Sequence, residues 1–187
     1  MGDVPELLAA ILFAARKHRD QRRKDPEASP YINHPIEVAE VLARIGGVND
    51  LEALQAAILH DTIEDTDTTA EELELTFGRA VRSLVEELTD DKTLPKQRRK
   101  DLQIECAPRL SVHAKCIKLA DKICNVRDLT HKPPADWSPE RRMEYFDWCR
   151  RVLESCRGIN EELAREFDSV VSEGAERLAI EHPRLRE

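Results

Sequence analysis

The stretch Ser111–Leu129, SVHAKCIKLADKICNVRDL, decides the fold class of this chain. Its apolar side chains recur at positions 112, 116, 119, 123 and 126, the three- and four-residue spacing of one face of an α-helix. Other segments repeat this periodicity and are separated by prolines, glycines and capping residues. The pattern predicts an all-α fold.

These punctuating residues also mark where each helix should begin and end. Helices are expected at 5–23, from an Asn33 cap to Gly46-Gly47, from an Asn49 or Asp50 cap to Asp61, from Thr69 to about Phe77, and at Arg79–Leu88, Pro95–Cys106, Ser111–Leu129, Ser138–Cys156 and about Asn160–Ile180. We expect one domain over residues 1–187 with about nine helices. Its core should span about 5–157, followed by a C-terminal helix at about 160–180.

The chain is acidic as a whole, with 29 lysines and arginines against 37 aspartates and glutamates and a net charge of −8. A general nucleic-acid binder or a binder of anionic membranes would show a basic excess, so the charge disfavours both classes. Hydrophobic content of 41% and charged content of 35% are typical of a globular domain. Basic runs at 16–24 and 92–100 still leave room for a small polyanionic ligand.

The cysteines and the apolar segments indicate the cellular setting. Five cysteines without a Cys-x-x-Cys pair favour buried or incidental thiols in a reducing compartment over disulfides or a zinc–thiolate site. No apolar run approaches the ~18 residues of a membrane-spanning helix. The apolar and basic segments near the N-terminus stand in the reverse of a signal peptide's order. We therefore expect a cytoplasmic protein with no membrane partner.

Two ionisable residues end the predicted helix that contains AAILHD. Asp61 falls three and seven residues after Ile58 and Leu54, on the apolar face, where an unpaired carboxylate is costly. It therefore needs a cation or strong hydrogen-bond donors. His60 projects about 100° away, over a face of small alanine side chains. For this dipeptide alone, a capped helix end with a hydrogen-bonded histidine is the alternative explanation.

Two further residues extend the pattern. His34 begins a helix in YINHP, and Asp121 lies inside an apolar-striped helix in KLADKICN. With His60 and Asp61 they form a set of two imidazoles and two carboxylates without a thiol. Such a set suits Mn²⁺, Fe²⁺ or Mg²⁺ better than a structural zinc ion. Four protein ligands would leave two octahedral positions for water or a phosphate oxygen.

An acidic pair follows the histidine–aspartate dipeptide. If helical phasing continues past His60, Glu64 lies one turn further on the same face, with Asp65 beside it. Such a pair could position or deprotonate a water and later protonate a leaving oxygen. The alternative is a solvated acidic loop, because the whole segment TIEDTDTTAEELE is acidic. Spacing alone does not decide between these interpretations.

Taken together, the residues form a recognisable pattern. The arrangement H-(25)-HDTIED-(55)-D resembles the HD-domain metal-dependent phosphohydrolases. Within them, RRKDPEASPYINHP, ALQAAILHDTIEDTDTT, FG-x-x-V-x-x-LVEELTDDKTLPK and KLADKICNVRDL resemble the small RelA/SpoT-type alarmone hydrolases, in particular stand-alone members without a synthetase domain. The resemblance runs from about residue 5 to 155 and is poor from Gly158 onward.

This resemblance implies an HD-type helical domain and a Mn²⁺-dependent hydrolysis, with one ion per chain. The substrate implied is guanosine 3′,5′-bis(diphosphate), whose 3′-diphosphate leaves as pyrophosphate, with GDP or GTP as the other product. The implied metal ligands are His34, His60, Asp61 and Asp121. Glu64 and Asp65 are the implied catalytic pair. The implied substrate-binding residues are Arg23, Lys24, Tyr31, Lys96, Asn125, Arg141 and Tyr145. Removal of the 2′-phosphate of NADPH, or of another nucleotide 2′- or 3′-phosphate, is the alternative activity.

Some of these assignments also have support from the residues themselves. Asn125 is four residues after Asp121, hence on the same side of its helix. Most of the basic run at 16–24 should be solvated, with Arg23 and Lys24 the residues best placed to reach phosphates. Tyr31 and Tyr145 could stack on a purine or fill the core. The remaining histidines at 18, 113, 131 and 182 are expected at the surface, and Trp137 and Trp148 in the core or an interface. The sequence does not determine the metal used in cells, the physiological substrate or the role of the divergent C-terminal segment. It also leaves the oligomeric state open, with a homodimer among the possibilities.

Overall fold

The computed structural model describes residues 3–182 of the chain. Its ten α-helices are α1 (Asp3–Lys17), α2 (Asn33–Arg44), α3 (Leu51–Leu59), α4 (Thr62–Asp65), α5 (Ala70–Phe77), α6 (Arg79–Leu88), α7 (Lys96–Cys106), α8 (Val112–His131), α9 (Pro139–Leu153) and α10 (Glu161–Glu181). Short 3₁₀ turns at Ala107–Arg109 and Glu154–Cys156 extend α7 and α9. Within this described part the only β-type pairing is an isolated bridge between Arg22 and Pro30. The all-α expectation is confirmed, and nine of the helices have eight residues or more.

Several expected helix starts are confirmed by their capping hydrogen bonds. The side chains of Asp50, Thr69, Ser111, Ser138 and Asn160 each accept a hydrogen bond from the backbone N–H three residues later. These caps satisfy N–H groups that have no partner inside the helix. The helix starts predicted at Thr69, Ser111, Ser138 and Asn160 are therefore confirmed as caps. Of the two cap positions predicted for α3, Asp50 is the one that caps the helix.

Two expected boundaries are wrong. The first helix ends at Lys17, not at residue 23, and the basic run continues as an irregular segment up to α2. Asn33 is the first residue of α2 and not its cap, since Ile32 precedes the helix without a capping side chain. The early end of α1 turns the following residues back toward the centre of the molecule.

Helix α8 is the central element, because it packs against α10, α2, α6 and α3. Its buried side chains include Ile117, Leu119 and Ile123, which lie in the same hydrophobic core as Leu42 of α2 and Phe167 of α10. A core helix buried around most of its circumference keeps few sites for charge. Ionisable residues on the inward faces of α8 therefore stand out as candidates for a functional site.

Helix α10 approaches α8 and α9 very closely at Gly174. A Cβ atom at this position would lie 2.6 Å from Oγ1 of Thr130 and 2.9 Å from the ring of Phe146. Only glycine leaves room for this approach, which fixes the C-terminal helix against the core.

All five cysteines are free, with Cys106 half-buried and the other four buried, as expected from their number and spacing. Across residues 3–182, none of the helices is both long enough and apolar enough to cross a bilayer.

Candidate metal centre and adjoining cavities

The four predicted metal ligands come from three helices that pack on one another. His34 lies in the first turn of α2, His60 and Asp61 follow directly after α3, and Asp121 lies in the middle of α8. Contacts of α2 and α8 with α3 and with each other bring these distant parts of the chain together. Both imidazoles are buried.

Ligand atoms of His34, His60 and Asp121 form one cluster, and Asp61 lies outside that group but beside both imidazoles. Nε2 of His34 lies 3.2 Å from Oδ1 of Asp121 and 4.0 Å from Oδ2 of Asp61. Nε2 of His60 lies 3.1 Å from Oδ2 of Asp61 and 4.0 Å from Oδ1 of Asp121. Atoms of His34, His60 and Asp121 that could bind one ion all lie within 4.8 Å of one another.

This arrangement fits a divalent ion. Ligand atoms about 2.1 Å from an octahedral ion lie about 3.0 Å apart when adjacent and about 4.2 Å apart when opposite. The distances of 3.1 to 4.0 Å within the cluster fall in that range. Two carboxylates beside two imidazoles form a donor set for Mn²⁺, Fe²⁺ or Mg²⁺.

Neighbouring groups orient the ligands. The backbone carbonyl of Ala57 accepts a 2.8 Å hydrogen bond from Nδ1 of His60, which leaves Nε2 free to act as a ligand. The hydroxyl of Tyr31 donates a 2.7 Å hydrogen bond to Oδ2 of Asp61. Such contacts fix the position and basicity of metal ligands. Nδ1 of His34, in contrast, is buried without a hydrogen-bond partner.

Asp121 is held on both oxygens. Nδ2 of Asn125 donates to Oδ1 at 2.5 Å, and Nζ of Lys122 contacts Oδ2 at 2.8 Å. Nζ of Lys122 also lies 5.0 Å from the centre of the Trp148 ring, so this cation contacts an aromatic face as well. Asn125 is thus on the metal side of α8.

The buried charges shift one another's pKa values. Burial opposes ionisation of Asp61, but the nearby His60 cation outweighs it and lowers the pKa of this carboxyl. Burial likewise opposes a charge on His60, but Asp61 and Asp121 raise its pKa to about 9. Burial dominates at His34 and lowers its pKa. The two ionised carboxylates would attract a divalent cation, which would replace the proton of His60 at this centre.

Three cavities adjoin this cluster. The metal chamber is a cavity of about 170 Å³ lined by His34, His60, Asp61, Glu64 and Asp121. The outer cavity, of about 470 Å³, is lined by Lys24, Asp65, Asn125, Trp137 and Tyr145 among others. The rear cavity, of about 310 Å³, is lined by Leu88, Asp90, Arg99, Gln103 and Lys118 among others.

The predicted acidic pair divides between two of these cavities. Glu64 lines the metal chamber, where Oε2 accepts a 3.1 Å hydrogen bond from the backbone N–H of Asp90. Burial and nearby carboxylates raise the pKa of Glu64. Asp65 lines the outer cavity, where it pairs with Lys92 and accepts a 2.8 Å hydrogen bond from the amide of Gln21. Both are anchored side chains within α4, not a solvated loop.

Three predicted substrate-binding residues form the wall between the metal chamber and the outer cavity, since Arg23, Tyr31 and Asn125 line both. Nη2 of Arg23 donates to Oδ1 of Asn125 at 3.0 Å and to Oδ2 of Asp128 at 2.6 Å. Its guanidinium also lies 5.7 Å from the centre of the Tyr31 ring. A ligand in either cavity can therefore contact these three side chains.

The other predicted substrate-binding residues lie around the outer cavity. Lys24 and Tyr145 are part of its lining. Lys96 and Arg141 lie beyond that lining, and the guanidinium of Arg141 stacks 4.2 Å from the centre of the Trp137 ring. Burial lowers the pKa of Lys96, and the cations of Arg141 and Lys24 lower it further. Lys24, Lys96 and Arg141 thus place positive charge at one side of the cavity.

Two residues differ from their expected environments. His18 is 2% exposed, although it was expected at the surface, because α1 ends at Lys17 and the chain turns inward. Its ring lies 4.9 Å from that of Tyr31, and Nδ1 contacts the amide oxygen of Gln21 at 2.6 Å. Trp137 packs against the core, as expected, but it also lines the outer cavity, which was not expected. The proline pair just before Trp137 was the only sequence signal for a loop at this wall.

The sequence interpretation also missed two cations of α8. Lys118 and Lys122 line the metal chamber and are 6% and 5% exposed. Lysine is seldom buried without a partner. The burial of these lysines could have been predicted from their spacing. Residues 118 and 122 lie one turn apart on the same inward face of α8, close to Asp121.

Comparisons with known proteins agree on one family. The HD domain model matches residues 10–145. The guanosine-3′,5′-bis(diphosphate) 3′-pyrophosphohydrolase MESH1 of Homo sapiens is 58% identical over 162 residues, 87% of this chain and 90% of the human protein. MESH1 of Drosophila melanogaster is 47% identical over 165 residues, 88% of this chain and 92% of the fly protein. A solved structure of a metazoan ortholog of SpoT, described as hydrolysing ppGpp and acting in starvation responses, has a TM-score of 0.87 at 47% identity, covering 89% and 94% of the two chains.

Proposed function

This chain belongs to the HD-domain family, as its sequence predicted, and we propose that it is a guanosine-3′,5′-bis(diphosphate) 3′-pyrophosphohydrolase. One structural observation carries the proposal beyond family membership. The metal chamber adjoins the larger outer cavity, and the two share Arg23, Tyr31 and Asn125 in their linings. A substrate with a nucleoside at one end and phosphate at the other fits this pair of cavities.

We assign one Mn²⁺ ion per chain to His34, His60, Asp61 and Asp121. Mixed imidazole and carboxylate ligands support this choice, because they suit Mn²⁺ better than a thiolate-preferring ion. Such an ion would lower the pKa of a nearby water and polarise the phosphorus to which O3′ is attached. Tyr31, Asn125 and Lys122 hold the two carboxylates in position for it.

Glu64 and Asp65 divide the proton transfers between them. Glu64 lines the metal chamber, and its raised pKa suits a group that accepts a proton from the attacking water. Asp65 faces the outer cavity, the side on which the ribose would lie, and directs a proton to the leaving O3′. The new oxygen–phosphorus bond forms as the bond from phosphorus to O3′ breaks. GDP and pyrophosphate are the products when the substrate carries a 5′-diphosphate.

The outer cavity supplies binding surface for the nucleoside and the 5′-phosphates. Trp137 and Tyr145 are aromatic groups with ring centres 5.7 Å apart, which supports stacking on a purine. Lys24, Lys96 and Arg141 place cations close by, which supports their assignment to the 5′-diphosphate. We propose a small nucleotide polyphosphate as the ligand, without a nucleic-acid or membrane partner.

The remaining assignments are proposals of the same kind. We propose that residues 1–187 form one HD-type domain, because α10 packs along α8 and shares its core. Five free thiols agree with a reducing compartment and support a cytoplasmic location. A homodimer remains a proposal that size-exclusion chromatography with light scattering would test.

A substrate panel tests the proposed function. The protein is stripped with a chelator, reloaded separately with Mn²⁺, Mg²⁺, Fe²⁺ or Zn²⁺, and supplied with guanosine 3′,5′-bis(diphosphate) or NADPH. We expect pyrophosphate and GDP from the first substrate, with the highest kcat/KM in Mn²⁺. A higher kcat/KM for NADPH, with release of orthophosphate, would favour the 2′-phosphatase alternative. No turnover of either substrate with any ion would refute the proposal.

A further inference from the structure

The metal chamber has a second side, away from the outer cavity. It shares Leu88, Asp90, Gln103 and Lys118 with the rear cavity, and none of these four residues lines the outer cavity. A group bound at the metal ligands therefore has the nucleoside side in one direction and the Lys118 side in the other. A substrate with a single phosphate on its ribose would extend from the metal ligands toward the outer cavity only.

Among the three cations that line the metal chamber, Lys118 differs in its partners. Arg23 lies 2.6 Å from Asp128, and Lys122 lies 2.8 Å from Asp121. Lys118 is only 6% exposed, yet no ion pair within 4.0 Å joins it to a carboxylate in the part of the chain from 3 to 182. Burial and the nearby Lys122 cation lower the pKa of Lys118, although Asp121 and Asp90 partly oppose this, so its charged form would gain from an anion supplied by a ligand.

The adjoining wall contains further polar atoms without a partner. Nε of Arg99 and Oε1 of Gln103 are buried and make no hydrogen bond. Nη1 of Arg99 lies 3.6 Å from Oε1 of Glu64, so its charge is close to the metal chamber. Lys118 and Arg99 therefore place two cationic donors beside the space into which a second phosphate would extend, whereas the free oxygen of Gln103 can only accept a hydrogen bond.

The acidic residues of the rear cavity are largely engaged elsewhere. Asp90 accepts a 2.7 Å hydrogen bond from the amide of Gln103, and Glu87 accepts one of 2.7 Å from the backbone N–H of Ser111. The other two are Glu86, which pairs with Arg82 at 3.2 Å, and Asp91, which accepts from the Thr93 hydroxyl and N–H. Their negative charge is thus partly offset by partners other than Lys118 and Arg99.

We propose that Lys118, aided by Arg99, binds the distal phosphate of the substrate's 3′-diphosphate and makes the site selective for a diphosphate over a monophosphate. This inference rests on the proposed function. When water attacks the phosphorus attached to O3′, the bond from that phosphorus to O3′ breaks and O3′ takes up a proton. The distal phosphate stays with the attacked phosphorus and leaves as pyrophosphate. A ribose monophosphate has no group that reaches Lys118.

Two variants at position 118 test the inference. Lys118→Met keeps the length and removes the charge, whereas Lys118→Arg keeps the charge. Each is compared with wild type on guanosine 3′,5′-bis(diphosphate) and on the matched guanosine 5′-diphosphate 3′-monophosphate. Inhibition by pyrophosphate and by orthophosphate, metal content and thermal unfolding are measured on the same samples.

For Lys118→Met we expect kcat/KM on the 3′-diphosphate to fall about 10- to 100-fold, the effect of losing one hydrogen bond between charged groups. Inhibition by pyrophosphate should weaken by a similar factor, whereas kcat/KM on the 3′-monophosphate should change less than about threefold. Lys118→Arg should recover part of the loss. Equal losses on both substrates, unchanged pyrophosphate inhibition, or loss of bound metal would overturn the inference.

A separate measurement keeps the test independent of turnover. Calorimetric titration of pyrophosphate and orthophosphate into the metal-loaded wild type should show tighter binding of pyrophosphate, and Lys118→Met should remove that difference. Equal binding of both anions to the wild type would overturn the inference even if the enzyme is fully active. Absence of wild-type turnover of the 3′-diphosphate would refute the proposed function instead.

Discussion

The hydroxyl of Tyr31 donates a 2.7 Å hydrogen bond to Oδ2 of Asp61, the oxygen that lies 3.1 Å from Nε2 of His60. A residue assigned from the sequence to the substrate therefore also orients a metal ligand. Tyr31 lines both the metal chamber and the outer cavity, so one side chain connects the metal centre with the proposed nucleotide-binding cavity.

Tyr31→Phe should weaken metal binding about 10- to 100-fold, because it removes the group that positions Asp61 but keeps the ring. Titration of the metal-free protein with Mn²⁺ measures the effect. At saturating Mn²⁺ the variant should regain most of its activity. An unchanged Mn²⁺ affinity would show that the hydrogen bond does not support the ligand.

Glu64→Gln should lower kcat about 10²- to 10⁴-fold, because it removes the proposed base, and it should leave metal content unchanged. In the wild type, kcat/KM should decline as pH falls through the pKa of Glu64, which burial raises above its ordinary value. The residual activity of the variant should lack this acidic limb. A wild-type rate in the variant would remove Glu64 from the mechanism.

The Glu64 carboxyl should also make the stability of the protein depend on pH. Stability should fall as pH rises, whereas activity should rise. Because its pKa is higher in the folded state, the folded protein binds the proton more tightly, and the free energy of unfolding falls as pH rises through that pKa. Glu64→Gln should therefore unfold at an equal or higher temperature than the wild type at pH 7. A clear drop in Tm would show that the hydrogen bond from Asp90 N–H outweighs the cost of burial.

Trp137→Leu should raise KM for the nucleotide about tenfold with little change in kcat, because it removes a stacking surface and the platform under Arg141. Trp137→Phe is the matched control and should have a smaller effect. Steady-state kinetics at saturating Mn²⁺ distinguishes the two parameters. A fall in kcat with unchanged KM would place Trp137 outside the binding surface.

Gly174→Ala should lower the free energy of unfolding by about 1–3 kcal/mol, because the new methyl group would meet Thr130 and Phe146 at less than 3 Å. Alanine's better helix propensity, about 1 kcal/mol, offsets part of this cost. Ser172→Ala, at an exposed position of the same helix, is the control and should be neutral or stabilising. Denaturant unfolding of both variants checks the difference.

Helical periodicity and caps predicted most of the fold, because these interactions are local. The side chains of Asp50 and Ser111, for example, bond to backbone N–H groups only three residues later. The end of α1 was missed, since the basic residues after Lys17 are good helix formers and only tertiary contacts turn them inward. His18 was misplaced for the same reason, as its burial comes from packing on Tyr31.

The metal ligands of the candidate site could be predicted because they lie in short sequence motifs. The spacing of histidines and aspartates indicated a metal centre, and the structure brings those side chains together. The cavities on its two sides were not predictable, because contacts such as that of Arg23 with Asp128, 105 residues later, exist only after folding. Neither local periodicity nor composition contains that information.

The position of Lys122 between Asp121 and the Trp148 ring gives the protein an internal optical reporter. The ammonium group contacts the carboxylate at 2.8 Å and lies 5.0 Å from the indole centre, so changes in charge at Asp121 alter the electric field at the chromophore. The chain has two tryptophans, and Trp137→Phe leaves Trp148 as the sole tryptophan, which can be excited selectively over the two tyrosines. Occupancy of the metal centre can then be followed by intrinsic fluorescence, without a label and without turnover.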